Sequence, residues 1–315
     1  MPAFDVYVVV DWSSSNRPKT GPDSVWIGVG GGRDLRLENP PTRARARERL
    51  TALLRQAVAA GERVLVGFDF PYGYPRGLAS ALRLPPGPAW LRVWQTLVEA
   101  IVDDEGNGSN RFAAASALNE RLGPKPGPFW MRPERAGTPA LPLTRPSFPY
   151  GTLGEYRATE RALKRRSRHP QSVWKLSGAG SVGSQALLGI PLVHALRFDP
   201  ELAPSSRVWP FETGFRVAPV PTSGPFVLHA EIWPGIGDVD PRPGEIRDAR
   251  QVAALVEEFV RLDAEDALGS LFAPSADGAA ASEEGWILGA QEAVDSTLAR
   301  ASYCGSRPAP CSGLA

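Results

Sequence analysis

The chain predicts an α/β fold built on one mixed sheet, a three-stranded meander followed by parallel strands, with helices on both faces. Two observations carry this. The apolar, β-favouring runs VYVVV at 6–10 and VLVGF at 64–68 each stop at an aspartate, Asp11 and Asp69. Runs apolar on both faces belong to buried, parallel strands. Between them lie two short alternating segments and one amphipathic helix, so a right-handed crossover sets the second run parallel to the first.

In chain order, 24–30 (SVWIGVG) and 33–38 (RDLRLE) alternate apolar with small or polar residues across a glycine turn and read as a hairpin. Thr42 is placed to cap a helix whose apolar positions Leu50, Leu53, Leu54, Ala57 and Val58 keep helical spacing until Gly61. The strand ending at Asp69 follows, then a Pro-Tyr-Gly-Tyr-Pro turn. Strand, strand, strand, helix, strand is the opening order of RNase H-like folds. Residues from about 73 to 170 read as a helical, Pro-rich insertion. A helix is expected over 181–196, strands over 208–211 and 226–233, and a long amphipathic helix over 250–272. The expected organisation is one domain over 1–300 with a loose tail at 301–315.

Composition bounds the function classes. The 315 residues are 43% hydrophobic and 22% charged, as in globular proteins, and 32 Gly and 32 Pro imply many turns. Net charge is +1, so a polyanion would have to be met by local patches. The start, MPAFDVYVVVDWSS, lacks a basic leader and reaches acidic residues early, and no stretch is long and apolar enough for a membrane span. Cys304 and Cys311, both near the end, make neither a disulfide framework nor a zinc site. The expectation is a cytoplasmic protein.

Asp11 and Asp69 end parallel strands at one sheet edge, where open α/β sheets bind ligands. Two carboxylates there repel unless a proton or cation intervenes. An all-oxygen donor set suits Mg²⁺ or Mn²⁺. The alternative is that each aspartate caps the next turn. The apolar stripe of the long helix (Val252, Leu255, Val256, Phe259), continued at ~100° per residue, passes through Asp263 and Asp266, with Glu257, Glu258, Arg261 and Glu265 on the wet face. Glu231 ends a strand and is a further ligand candidate, with Glu212 as its competitor. The expected catalytic set is Asp11, Asp69, Glu231, Asp263 and Asp266, of which Asp11, Asp69, Asp263 and Asp266 are the expected metal ligands. Two ions about 4 Å apart would clamp an in-line displacement at phosphorus.

The segments VVVDWSSSN, VLVGFDFPYGYP, SGAGSVGSQALLGIP, VWPFETG, HAEIWP, EIRDARQV and EEGWILG resemble a bacterial family classed as predicted RNase H-like nucleases, over residues 6 to about 290. Some members carry a label for molybdopterin-guanine-dinucleotide synthesis. The resemblance implies a metal-dependent nuclease. LDAEDAL at 262–268 resembles the last catalytic helix of Holliday-junction resolvases, which implies metal ligation by Asp263 and Asp266. Those enzymes carry Glu where this chain has Asp69.

Three motifs compete. Gly178, Gly180 and Gly183 match a dinucleotide fingerprint, with Asp199 downstream, but only a short polar-interrupted segment precedes them. Ser181, Asp199 and His229 follow hydrolase order, but no strong strand leads into Ser181. The residues from Asp11 to Asn16 could form a phosphate loop of an actin-like phosphotransferase. A non-catalytic ligand-binding or scaffold module is the remaining alternative. Basic residues cluster at Arg43, Arg45, Arg47 and Arg49, and again at Arg157, Arg161, Lys164, Arg165, Arg166 and Arg168. Charge runs of this kind usually make solvated helix faces, but the second could draw a phosphate backbone toward the carboxylate edge.

The expected activity is therefore Mg²⁺- or Mn²⁺-dependent hydrolysis of a phosphodiester in a nucleic acid or nucleotide-like small molecule. Ser13, Ser14, Arg111, Lys175, Gly180 and Ser181 are the expected substrate contacts.

Overall fold

A computed structural model describes residues 2–32, 34–134, 138–217, 219–234 and 244–290. Cys304, Cys311 and the expected tail lie outside the described residues. Six strands form one mixed sheet: β1 (Val6–Asp11), β2 (Trp26–Gly31), β3 (Arg36–Glu38), β4 (Arg63–Phe68), β5 (Ser206–Val208) and β6 (Phe226–Glu231). Their spatial order is β3-β2-β1-β4-β6-β5. β1, β2 and β3 form the antiparallel meander, whereas β1, β4, β6 and β5 are mutually parallel. The meander and the parallel half follow the expectation. β6 inserts between β4 and β5, so the last two strands are not in chain order.

Period-2 alternation splits the core into one cluster per sheet face. Val8, Val10, Val64, Val66 and Phe68 pack against α1 (Arg43–Ala59) and α6 (Val182–Arg197) through Leu50, Leu54, Leu187 and Ile190. Tyr7, Val9, Leu65, Leu228 and Ala230 pack against α7 (Arg247–Ala264) through Val252, Val256, Phe259 and Leu262. The Thr42 side chain accepts the Arg45 N–H at 3.2 Å, so α1 starts where the capping residue predicts.

α7 lies close to the sheet because β2 carries glycines beneath it. A Cβ on Gly28 would sit 2.6 Å from Val252, and one on Gly30 would sit 2.6 Å from Val256. The helix ends at Ala264, short of the expected 272, because Asp266 takes a left-handed backbone (φ 57°) before a 3₁₀ turn at Leu268–Phe272.

The insertion contains α2 (Leu78–Ala81), α3 (Ala89–Ala100), α4 (Arg111–Leu122) and α5 (Ala158–Lys164). Its described residues make no separate core: Tyr74, Trp94, Phe129 and Leu153 join the cluster formed by β1, α1 and α6. α5 is tied to the sheet by Arg157, whose buried guanidinium pairs with Glu160 and Glu231. No helix among the described residues is long and apolar enough to cross a membrane.

Asp263 is buried, as the helix stripe requires, but its role differs from the expectation. It accepts the N–H groups of Ala3 and Phe4, each at 2.9 Å, and the Tyr7 hydroxyl. It therefore locks the segment entering β1, at the amino end of that strand. Replacing it with Ala removes the acceptor of three donors, two of them buried, so Asp263→Ala is expected to lower unfolding free energy by roughly 2–4 kcal/mol, measured by urea denaturation. A loss below about 1 kcal/mol would mean that these donors readily find water.

Candidate functional site

Sheet register brings Asp11 and Asp69 together. Val10 pairs with Phe68, and the Asp69 N–H donates to the Val10 carbonyl at 3.2 Å, so the residues that end the two parallel strands stand side by side on the α7 face. The Trp12 N–H donates to Asp69 Oδ1 at 2.7 Å. The two carboxyl groups lie close enough for one, when protonated, to donate to the other. Burial raises the Asp11 pKa well above the usual carboxylate range, and repulsion from Asp69 adds to it. Asp69 is pushed up to about 6, chiefly by burial, against the lowering effect of its hydrogen bonds from Asp11 and Trp12.

Asp11 borders a cleft of about 530 Å³, and Asp69 stands beside it on the neighbouring strand. One wall is the loop of Ser13, Ser14 and Asn16. The other is the turn 178–181 that opens α6. Asp248, in the first turn of α7, completes the rim. Its charge raises the pKa of both Asp11 and Asp69, and its Oδ2 accepts the Asp23 N–H at 2.6 Å. Asp23 also borders the cleft and pairs with Lys19 at 3.3 Å. Acidic groups thus dominate the rim.

Two expected ligands are excluded by helix geometry. Fifteen residues separate Asp248 from Asp263, about 22 Å along α7 at 1.5 Å per residue. One helix cannot present both to the same sheet edge. Asp248 reaches the carboxyl edge, Asp263 holds the opposite one, and Asp266 is exposed beyond the helix end. Asp263 and Asp266 are therefore not part of this site. Glu231 is excluded by alternation. It pairs in register with Phe68, so it points to the face opposite Asp11 and Asp69. There it is held by the Arg157 guanidinium (2.7 Å from Nη1) and by the Tyr72 N–H (3.0 Å). Its competitor Glu212 is held by Arg197 at 2.7 and 2.8 Å.

The expected substrate contacts divide. Ser13, Ser14, Gly180 and Ser181 line the cleft. The Ser13 hydroxyl donates to the Asp23 carbonyl at 3.0 Å, which tightens the loop. Arg111 sits buried behind the loop, donating to Asn16 Oδ1, to Ser109 Oγ at 2.8 Å and to Ser184 Oγ at 3.0 Å. Burial, and then the nearby Arg43 charge, push its pKa down to about 10. It braces the loop against α6 rather than lining the cleft. Lys175 lies outside the cleft, with Nζ bonded to the Ala179 carbonyl and to Gln171 Oε1.

The glycine fingerprint has a local explanation. Gly178 and Gly180 take positive φ (76° and 69°), and a Cβ on Gly183 would lie 2.3 Å from the Val173 carbonyl oxygen. The segment before them makes an isolated bridge between Lys175 and Trp130, not a strand. Asp199 is paired with Arg55 at 2.7 Å, and His229 Nε2 lies 2.9 Å from Ser206 Oγ inside the sheet. Neither serves a dinucleotide or hydrolase motif.

Asp248 is the cleft-lining acid that periodicity overlooks. Its signal is topological: a helix following a strand that ends at the carboxyl edge begins at that edge. Among the described residues no three Asp, Glu, His or Cys side chains converge tightly enough to cage a metal. The donor set nonetheless fits a hard cation held by one or two carboxylates, with water and substrate oxygens supplying the rest, as Mg²⁺ commonly is. No family model, curated protein or solved structure matches this chain.

Both carboxyl pKa values are shifted upward from 3.8, so the folded pair binds its proton more tightly than the unfolded chain does. The associated stability is full below the unfolded value and is lost as pH rises through the folded values. In EDTA, unfolding free energy is expected to fall by on the order of 2 kcal/mol between about pH 4 and pH 7. Asp11→Asn should flatten that slope in urea melts. An unchanged slope in the variant would show that the pair does not share a proton.

Proposed function

We propose that the protein is an RNase H-like, Mg²⁺- or Mn²⁺-dependent phosphodiester hydrolase acting on a nucleic acid or nucleotide-like substrate. One contrast carries the reading. Glu231, Glu212 and Asp199 each have an arginine, and Asp263 has three donors. Among the described residues Asp11 and Asp69 have mainly each other, and the next charge acting on both is that of Asp248. An unmatched acidic pair at a ligand-binding sheet edge calls for a cation.

Asp11 and Asp69 are the residues that would hold it, in the state where their shared proton has left. A bound divalent ion neutralises charge on phosphoryl oxygens and makes a nearby water more acidic. The chain's own groups account for the rest. Asp248 keeps Oδ2 fixed on the Asp23 N–H and leaves Oδ1 to take the proton of an attacking water. The turn 178–181 and the positive end of the 16-residue helix α6 favour a phosphate on the opposite wall. Ser13 and Ser14 border the same space. Arg111 holds the Ser13–Ser14 loop in position through Asn16.

Asp11→Asn is expected to fold and to lose at least ~100-fold of Mg²⁺- or Mn²⁺-dependent hydrolysis of a chromogenic diester and of oligonucleotides. Asp248→Asn should lose roughly 10- to 100-fold by removing the proton acceptor. Asp266→Asn should match wild type. Wild-type inactivity on single-stranded, duplex and branched substrates, with no thermal stabilisation by either metal, would favour a non-catalytic module. ATP consumption with labelling of an acceptor would favour a phosphotransferase.

A further inference from the structure

A second groove, of about 400 Å³, lies directly behind the turn that walls the carboxylate cleft. It is bordered by Trp130, Arg145, Glu155, Tyr156, Lys164 and Lys175. The partition is thin. The Gln171 side chain, which faces the groove, packs so closely on Gly180 that a Cβ there would lie 2.5 Å from its Cγ, while Gly180 itself borders the cleft. Lys175 and Gly178 are three residues apart, a span of at most about 11 Å.

The groove is cationic and aromatic at once. Arg145 is matched by Glu155. Lys164 is poised over the Tyr156 ring, with Nζ 3.8 Å from the centroid, and Lys175 Nζ is bonded to neutral oxygens. The half-buried Trp130, which pairs with Lys175 in an isolated bridge and keeps its indole N–H buried, borders the same groove. Arg161 and Arg165 add positive charge on exposed positions of the same helix end. Cations spaced along a groove with an aromatic face beside them suit a polyanion that carries flat bases. A polyanion without bases would use the charge and leave the indole unused.

We propose that this groove binds single-stranded nucleic acid, with phosphates on Lys164 and Lys175 and a base stacked on Trp130. The strand then crosses the turn 178–181 into the cleft of Asp11 and Asp69. This second clause rests on the phosphodiesterase reading given above, whereas binding in the groove does not.

The test is fluorescence anisotropy of labelled 20-mer oligo-dT and oligo-U on the full-length protein in EDTA, which reads the groove without catalysis. The expected result is saturable binding that weakens steeply with salt. It should fall at least ~10-fold in Lys164→Glu, and Lys175→Ala should reduce the salt slope by about 1. Comparing the two oligonucleotides distinguishes DNA from RNA as the preferred source of the strand. Unchanged affinity in Lys164→Glu, equal affinity for duplex, or displacement by polyglutamate as readily as by unlabelled oligonucleotide would each overturn the proposal. Hydrolysis of a small chromogenic diester, measured separately with Mg²⁺, reports on the cleft alone. Failure of one reading is therefore separable from failure of the other.

Discussion

Two carboxylates forced side by side, with no cation among the described residues to receive them, are the constraint around which this structure is organised. Parallel pairing of β1 with β4 gives Asp11 and Asp69 no other arrangement. Burial raises both carboxyl pKa values above the usual carboxylate range. The molecule tolerates that cost at one place while satisfying its other buried acids. Arg157 matches Glu231, and the backbone of the amino-terminal segment matches Asp263. Sites that retain electrostatic strain of this kind are functional-site candidates, because structural acids acquire partners.

Those parts of the fold that depend on local periodicity were legible in the residues themselves. The runs at 6–10 and 64–68, the cap at Thr42 and the two terminal aspartates all follow from alternation and turn chemistry. The third acid was not legible in the same way. An apolar stripe identifies which face of α7 is buried, and Asp263 does lie on that face. It does not say which end of the helix meets the carboxyl edge. The order of elements does say so: β6 ends at that edge, so the helix after it starts there and runs away, carrying Asp248 into the cleft and Asp263 out of it. Glu231 fails for a comparable reason. It ends a strand at the right edge, but its register with Phe68 sends it to the other face. Arg157, which then neutralises it, lies 74 residues away in sequence.

The turn into α6 illustrates how a motif can keep its form and change its use. Gly178, Gly180 and Gly183 have dinucleotide-fingerprint spacing, yet here the first two shape a turn and the third lets α6 approach the chain at 173–175. That turn separates an acidic cleft from a basic groove. The arrangement puts a place for a cation and places for phosphates within one short stretch of surface. Under the proposed function, a near-neutral chain would meet a polyanion through local charge, without a basic composition overall.

The most direct test of the central claim is a crystal structure grown with Mn²⁺ and measured at a wavelength where manganese scatters anomalously. The account predicts an anomalous peak between the carboxylates of Asp11 and Asp69, about 2 Å from an oxygen of each, on the side facing Asp248. A peak elsewhere, or none at saturating Mn²⁺ while the two carboxyl groups remain hydrogen-bonded to each other, would contradict it.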